Sequence, residues 1–259
     1  MNEEELIKYY NKFNEDKRLT RRHGIIEYKT AMKYIYKYLK KLKNPKIIDV
    51  GAGTGKYSIA LANDGYDVVA VELVKHNLMT IKSNSKKVKA FLGNATNLNF
   101  DDNSFDVVIL FGPMYHLISD SDKIKALNEA KRIVKKNGYI FISYYMNEYA
   151  IIKHGFIKRN IKNAIANNLV DKNFHIVSKP TDLYSMVRLK DINNYKKACN
   201  LKRVKILAQD GPSDYIRNFI NELDDDEFEI YFKYHLSICE KKELLGASSH
   251  ILDILMKKD

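Results

Sequence analysis

The sequence predicts an α/β fold: a doubly wound, mostly parallel sheet of seven strands, preceded by a helical cap and carrying helical lid insertions. Three observations lead there. Apolar runs of strand length alternate with segments of helical period along the chain, the pattern of a parallel sheet covered on both faces. The first run, at 45–50, passes into three glycines on alternate positions and then a helical segment, "IIDVGAGTGKYSIALA". Finally, 259 residues with 45% hydrophobic content suffice for one large core with decorations.

In chain order, helices are expected at about 3–15 and about 27–42, where Tyr28, Met32, Ile35, Tyr36 and Leu39 recur at helical spacing. Strands are expected at about 45–50, 67–72, 88–92, 104–111, 138–145, 202–209 and 249–257, with helices between them. Nearly sixty residues separate the fifth strand from the sixth, and about forty the sixth from the seventh. Both connections are long for such a fold and read as lids. The acidic run "DDDE" at 224–227 suits the first turn of a helix, where carboxylates meet the positive end of the dipole. The chain reads as one domain: a cap at 1–43, a ligand-binding core at 44–145, a lid at 146–200, and the last strands with a helical insertion at 201–259.

Composition narrows the function. No stretch of eighteen uncharged apolar residues occurs, and the start "MNEEELIKYY" is acidic where a signal peptide is basic and then apolar. A soluble, cytoplasmic protein without a membrane partner is expected, as a monomer or homodimer. Cys199 and Cys239 lack zinc spacing and are too few for a disulfide framework, so they read as inert thiols, and no metal site is expected. A net charge of +12 points toward an anionic partner such as nucleic acid. The lysines are scattered through a chain rich in Lys, Asn, Ile and Tyr, however, which favours a merely solvated surface.

The glycine turn excludes two ligands. A P-loop needs glycine, four residues, then Gly-Lys-Ser/Thr; Gly55 and Lys56 fit, but Val50 stands at the leading glycine and Tyr57 at the Ser/Thr. A dinucleotide fingerprint places its third glycine where this chain has Lys56. What remains is Asp49-x-Gly51-x-Gly53-x-Gly55, whose backbone can approach a phosphate-free ligand along the whole turn.

Together with "VVAVEL" at 68–73, "GNATNLNF" at 93–100, "FDVVILFGPMYHL" at 105–117 and "LNEAKRIVKKNGYIFISYY" at 127–145, this turn resembles the class I S-adenosylmethionine-dependent methyltransferases, of a bacterial small-molecule type. The resemblance runs in order over about residues 45–145. It implies a Rossmann-like sheet whose last strand is antiparallel, S-adenosylmethionine as cofactor and S-adenosylhomocysteine as product. It places Asp49, Gly51, Ala52, Gly53 and Gly55 at the cofactor, with Glu72 accepting from the ribose hydroxyls and Leu73 against the adenine. Asn94 stands where the family usually has an acid; its carbonyl oxygen can still accept from the adenine amine, with Ala95 beside it. Phe111 and Gly112 complete the rim. From the cap, Tyr9 or Tyr10 is expected to cover the cofactor, and Arg18 or Arg22 to anchor its carboxylate.

The acceptor has to be argued from the residues around the methyl group. The loop Gly112-Pro113-Met114-Tyr115-His116 lacks the amide or acid of methyltransferases that act on adenine or glutamine amines. His116, with an ordinary pKa near 6.5, suits a general base for a hydroxyl, thiol or ammonium acceptor, and Tyr115 can close over the cofactor. His235 shares a helical face with Cys239, and His250 opens the last strand at the rim; both are candidates for substrate contact. The expected function is methyl transfer to a small molecule enclosed by the lids. The alternatives are methylation of tRNA or rRNA, favoured if Lys153, Lys158, Arg159 and Lys162 share one exposed helix, and S-adenosylmethionine binding without catalysis.

Overall fold

A computed structural model describes residues 21–258; the helix expected at 3–15, and with it Tyr9, Tyr10 and Arg18, lies outside the described residues. Strands β1 (Lys46–Val50), β2 (Asp67–Glu72), β3 (Lys89–Leu92), β4 (Phe105–Leu110), β5 (Val134–Tyr145), β6 (Leu201–Ala208) and β7 (His250–Lys257) form a seven-stranded sheet in the order β3-β2-β1-β4-β5-β7-β6. Pairing is parallel from β3 to β5, and β7 runs antiparallel between β5 and β6. The order reverses between β1 and β4, so the crevice beyond their carboxyl ends is where such a sheet takes a ligand.

The central strands are near-continuous apolar runs because helices cover both faces: Ile47 and Ile48 of β1 and Val107, Val108 and Ile109 of β4 are fully buried. The first described helix, α1 (Arg22–Leu39), turns Ile26, Ala31, Ile35 and Leu39 into the protein. Helices α2 (Lys56–Asn63), α3 (Lys75–Asn84), α4 (Pro113–His116) and α5 (Asp120–Ile133) follow β1, β2 and β4. β5 begins four residues earlier than the sequence suggests. Val134 already pairs with Phe105, and a register shift with Asn137 at φ 64° absorbs the extra turn.

The two lids behave differently. The first contains α6 (Asn147–Ala150), a π-helical turn at Ile151–Ile157, α7 (Ile161–Ala166) and α8 (Leu189–Ala198), and it reaches the rim through Leu183, Tyr184 and Ser185. The second contains α9 (Arg217–Glu222), α10 (Asp225–Ile238) and a 3-10 turn at Lys242–Ala247. It was expected over the active site; instead it packs on α1, where Ile26, Ile220 and Phe228 form a small core of their own. The apolar outer face of α1 has to be covered, and this insertion covers it. The acidic run does open α10: Asp224 accepts from the Glu227 backbone at 2.8 Å while the Glu227 carboxylate accepts from the Asp224 backbone at 3.1 Å.

Candidate functional site

The site is built by the ends of β1, β2 and β4. Gly51, at φ +74°, turns the chain away from β1, and its N–H donates to the Val71 carbonyl of β2 at 2.7 Å. A Cβ on Gly51 would lie 2.4 Å from the Pro113 ring, and one on Gly112 would lie 2.9 Å from the Gly51 carbonyl. The glycine turn and the loop after β4 therefore touch backbone to backbone, which only glycine permits at both positions. Between them and α3 lies a cavity of about 290 Å³, near the lower end of small-ligand pockets, roughly 300 Å³.

Of the residues singled out in the sequence, Asp49, Gly51, Ala52, Gly53, Glu72, Leu73, Asn94, Ala95, Phe111, Gly112, Tyr115 and His116 border this cavity. Gly55 does not border it, but serves the same turn as the left-handed residue, φ +90°, that starts α2. The Glu72 carboxylate is 5% exposed and held by backbone: Oε2 accepts from Gly53 N at 2.8 Å and Oε1 from Val74 N at 2.9 Å. Burial raises its pKa, and those N–H bonds oppose the rise. Oε1 also accepts from Asn77 Nδ2 at 3.5 Å, while Oε2 keeps acceptor capacity for a hydroxyl, so the residues fit a ribose. Asp49 lies deeper; it accepts from Ser58 Oγ at 2.6 Å, and burial pushes its pKa up to about 7.

Four expectations are corrected. The Asn94 side-chain oxygen, expected to receive the adenine amine, already accepts from Thr96 N and Thr96 Oγ1, each at 2.9 Å, and is committed to its own turn. Arg22 turns away from the cleft: its guanidinium pairs with Asp225 at 2.9 Å and lies over the Phe228 ring, tying α1 to α10. His235 is wholly buried below Gly211, outside the cleft, where burial lowers its pKa; it is a packing residue. His116 borders the cleft, but its Nδ1 donates to the Leu183 carbonyl at 2.8 Å and burial lowers its pKa to about 4. A histidine so hard to protonate is a poor general base near neutrality.

His250 is better placed than the sequence could show. It pairs in register with Tyr145 at the rim, and its Nδ1 lies 2.7 Å from Asp210 Oδ2 and 3.7 Å from a Glu27 oxygen. Asp210 was missed, although an acid just past the end of β6 carries the same signal as Glu72 at the end of β2. Glu27, which borders the cavity, was missed because its place depends on how α1 docks. Lys123 was missed too: its buried ammonium donates to the Leu117 carbonyl, to Ile118 O at 3.3 Å and to Ser185 Oγ at 2.8 Å.

A doubly wound sheet with a glycine turn and a buried acid at its switch point is an architecture of the Rossmann-like type. Comparison with known proteins agrees. Residues 48–142 match the family model of the methyltransferase domain, and the fold is that of solved S-adenosylmethionine-dependent methyltransferases. An uncharacterized methyltransferase of Mycobacterium tuberculosis is 33% identical over 93 residues, 36% of this chain and 37% of the relative. The demethylmenaquinone methyltransferase of Paenarthrobacter aurescens is 38% identical over 101 residues, 39% of this chain and 38% of the relative. The chain thus matches well under half the length of these curated relatives. Among solved structures, a SAM-dependent methyltransferase from Methanosarcina mazei has a TM-score of 0.58 at 16% identity, covering 86% of this chain and 96% of that one. A possible histamine N-methyltransferase from Thermotoga maritima has a TM-score of 0.56 at 17% identity, covering 96% and 98%; at such identities the likeness concerns the fold. The cofactor that goes with this domain is S-adenosylmethionine, which leaves S-adenosylhomocysteine as product.

Proposed function

We propose that the chain is an S-adenosylmethionine-dependent methyltransferase acting on a small-molecule acceptor. The observation that carries the reading is the buried Glu72 carboxylate, held by Gly53 and Val74 N–H groups at the edge of a cavity of small-ligand size. In this reading Glu72 takes the ribose, Leu73 and Ala95 flank the base, and the backbone of Gly51–Gly53 faces the amino-acid part. The bound cofactor supplies a methyl group activated by its sulfonium; the protein supplies orientation, a dry cavity and removal of the acceptor's proton. His116, kept neutral by burial, serves as wall, while Tyr115 and Glu27 face the acceptor side.

A small acceptor is supported by the first lid, which brings Leu183 and Tyr184 against His116 at the rim. The basic helix that would favour RNA is not assembled: Lys153 turns inward and donates to the Asp214 carbonyl at 2.9 Å, leaving Lys158, Arg159 and Lys162 at the surface. The demethylmenaquinone relative, whose name carries a small-molecule substrate, points the same way. Calorimetry with S-adenosylhomocysteine, NAD and ATP tests the donor site: S-adenosylhomocysteine is expected to bind and the other two are not. Tighter binding of NAD or ATP would overturn the reading.

A further inference from the structure

We propose that the outer surface of the first lid docks on an anionic lipid bilayer. The inference goes beyond the methyltransferase reading and does not depend on it. Fourteen large apolar side chains are exposed among the described residues, and six of them, Ile152, Phe156, Ile157, Ile165, Phe174 and Val177, fall within residues 152–177, each between 43% and 57% exposed. Single apolar residues scattered over a surface need no explanation; a concentration in one segment does. The segment folds around a core of its own, Ile151, Ala164 and Val170, with Leu169 and Ile176 packed against it. So small a core covers one side of each element and leaves Ile152 beside Ile151, and Ile165 beside Ala164, facing out.

One of the six is held out at a conformational cost. Phe174 sits at φ 58°, in the left-handed region that a bulky side chain rarely adopts. The Asp171 carboxylate fixes that turn by accepting from Asn173 N and His175 N, both at 2.8 Å, while the Phe174 carbonyl accepts from Asn147 Nδ2 and Arg188 Nη2, both at 3.0 Å. Asparagine or glycine would make such a turn without strain. A phenyl ring there contributes an exposed apolar tip that the turn itself does not need.

Charge decides what covers this surface. Lys158, Arg159, Lys162, Lys172 and Lys179 are exposed in the same segment, and none of them pairs with an acid among the described residues. Between residues 150 and 180 the only acid is Asp171, whose carboxylate is engaged by its own turn. Basic side chains that flank an apolar surface lay their stems along it and carry their charges to phosphate groups. The second lid is the contrast: its exposed Phe219, Ile230 and Tyr234 lie close in sequence to the acids of 222–229, a setting that an anionic surface repels. Single-stranded RNA would also meet the basic charge, but it is held on aromatic platforms, and four of the six side chains here are aliphatic, as a hydrocarbon boundary takes. No described helix is long and apolar enough to cross a membrane. The expectation of no membrane partner rested on the lack of such a segment, and a chain lying on the surface needs none.

The test is co-sedimentation of the full chain with vesicles of phosphatidylcholine alone and of phosphatidylcholine mixed with phosphatidylglycerol, at about 0.15 M salt. Binding to the mixed vesicles is expected to be roughly tenfold or more tighter, since each basic residue near an anionic surface contributes several-fold. Phe156→Ser with Ile157→Ser should weaken it by roughly tenfold or more. Lys158→Glu with Lys162→Glu should remove the preference for phosphatidylglycerol, and Phe219→Ser on the second lid should change neither. Circular dichroism and the melting temperature check that each variant is folded. No binding to the mixed vesicles, or binding that the first-lid variants leave unchanged, overturns the proposal and leaves the donor site standing. It is overturned equally if the face is already taken: a dimer, seen by light scattering, that Phe156→Ser with Ile157→Ser separates would give it to a second copy, and RNA retention lost in the same variant would give it to nucleic acid.

Discussion

Two buried acids within one crevice divide the work by their partners. Glu72 is held by N–H groups that leave it able to accept further bonds, each worth about 1.5–3 kcal/mol to a charged acceptor. Glu72→Ala should therefore weaken S-adenosylhomocysteine binding by roughly ten- to several-hundred-fold, measured by calorimetry; an unchanged dissociation constant would place the donor site elsewhere. Asp49 has one side-chain donor, Ser58, and burial lifts its pKa to about 7 against that bond, with the charge of Glu72 adding to the rise. An unfolded aspartate gives up its proton near pH 4, about its ordinary value. Between about pH 4 and 7 the folded protein thus holds a proton that the unfolded chain has lost, so stability falls as pH rises through this window and stays lower above it. Asp49→Asn keeps an oxygen for Ser58 and removes the titration. Its unfolding free energy should gain on the parent's between pH 4.5 and 8 by at most about 4 kcal/mol, at about 1.4 kcal/mol per pH unit. Urea unfolding at the two pH values measures this, and a constant difference would mean that Asp49 ionises as a surface carboxylate does.

The first lid and α4 are joined by bonds from both sides. Ser185 N donates to the Tyr115 carbonyl at 2.6 Å, His116 Nδ1 donates to Leu183 O, and Lys123 of α5 reaches the carbonyls of Leu117 and Ile118 as well as Ser185 Oγ. An ammonium so enclosed is costly to desolvate, and burial lowers the Lys123 pKa to about 8. Its three acceptors offset that cost. Lys123→Met leaves them without this donor in a buried setting, a loss of about 1–3 kcal/mol. Because α5 and the sheet keep their own packing, the loss should appear locally: faster amide hydrogen exchange at 183–187, with the glycine turn at 51–55 unaffected. Uniform acceleration across the chain would mean that Lys123 supports the whole core and not the lid. Such a clasp was hard to read from sequence, since 168–188 has neither helical nor strand period and its partners lie more than sixty residues away. The strands were legible for the opposite reason. Burial on both faces forces runs such as "VVAV" to be apolar throughout, and a glycine turn that must contact another backbone leaves only one residue type to use.

At the scale of the whole molecule, the rim residues that sequence exposed are those at strand ends, Asp49, Glu72, Phe111 and His250, because topology alone carries them to one side of the sheet. Asp210 belongs with them, two residues past β6. Glu27 and Tyr184 were not legible, since their positions depend on docking angles and on an irregular lid. The net charge of +12 was the least informative global property. It counts only the excess and says nothing of placement: several cations sit in local pairs with acids, Arg132 with Glu129 and Asp102, Lys135 with Asp106, Arg203 with the buried Asp253. Lys153 is turned inward, so the first lid presents Lys158, Arg159 and Lys162 without it. An RNA-binding face would show itself through counterion release, with a log-log salt slope of about −0.7 for each phosphate contacted on a single strand. Several contacts would make binding collapse between low and physiological salt. A lidded site for a small acceptor has no such requirement, and its affinity rests on short-range walls such as Phe111 and Tyr115. We therefore expect no retention of cellular RNA at about 0.15 M salt, where exposed charges are screened beyond roughly 8 Å. Filter binding across a salt series, combined with labelled methyl transfer, measures this. Retention of one discrete tRNA or rRNA species, methylated and lost with a steep slope, would move the acceptor from the cleft to the lysine surface.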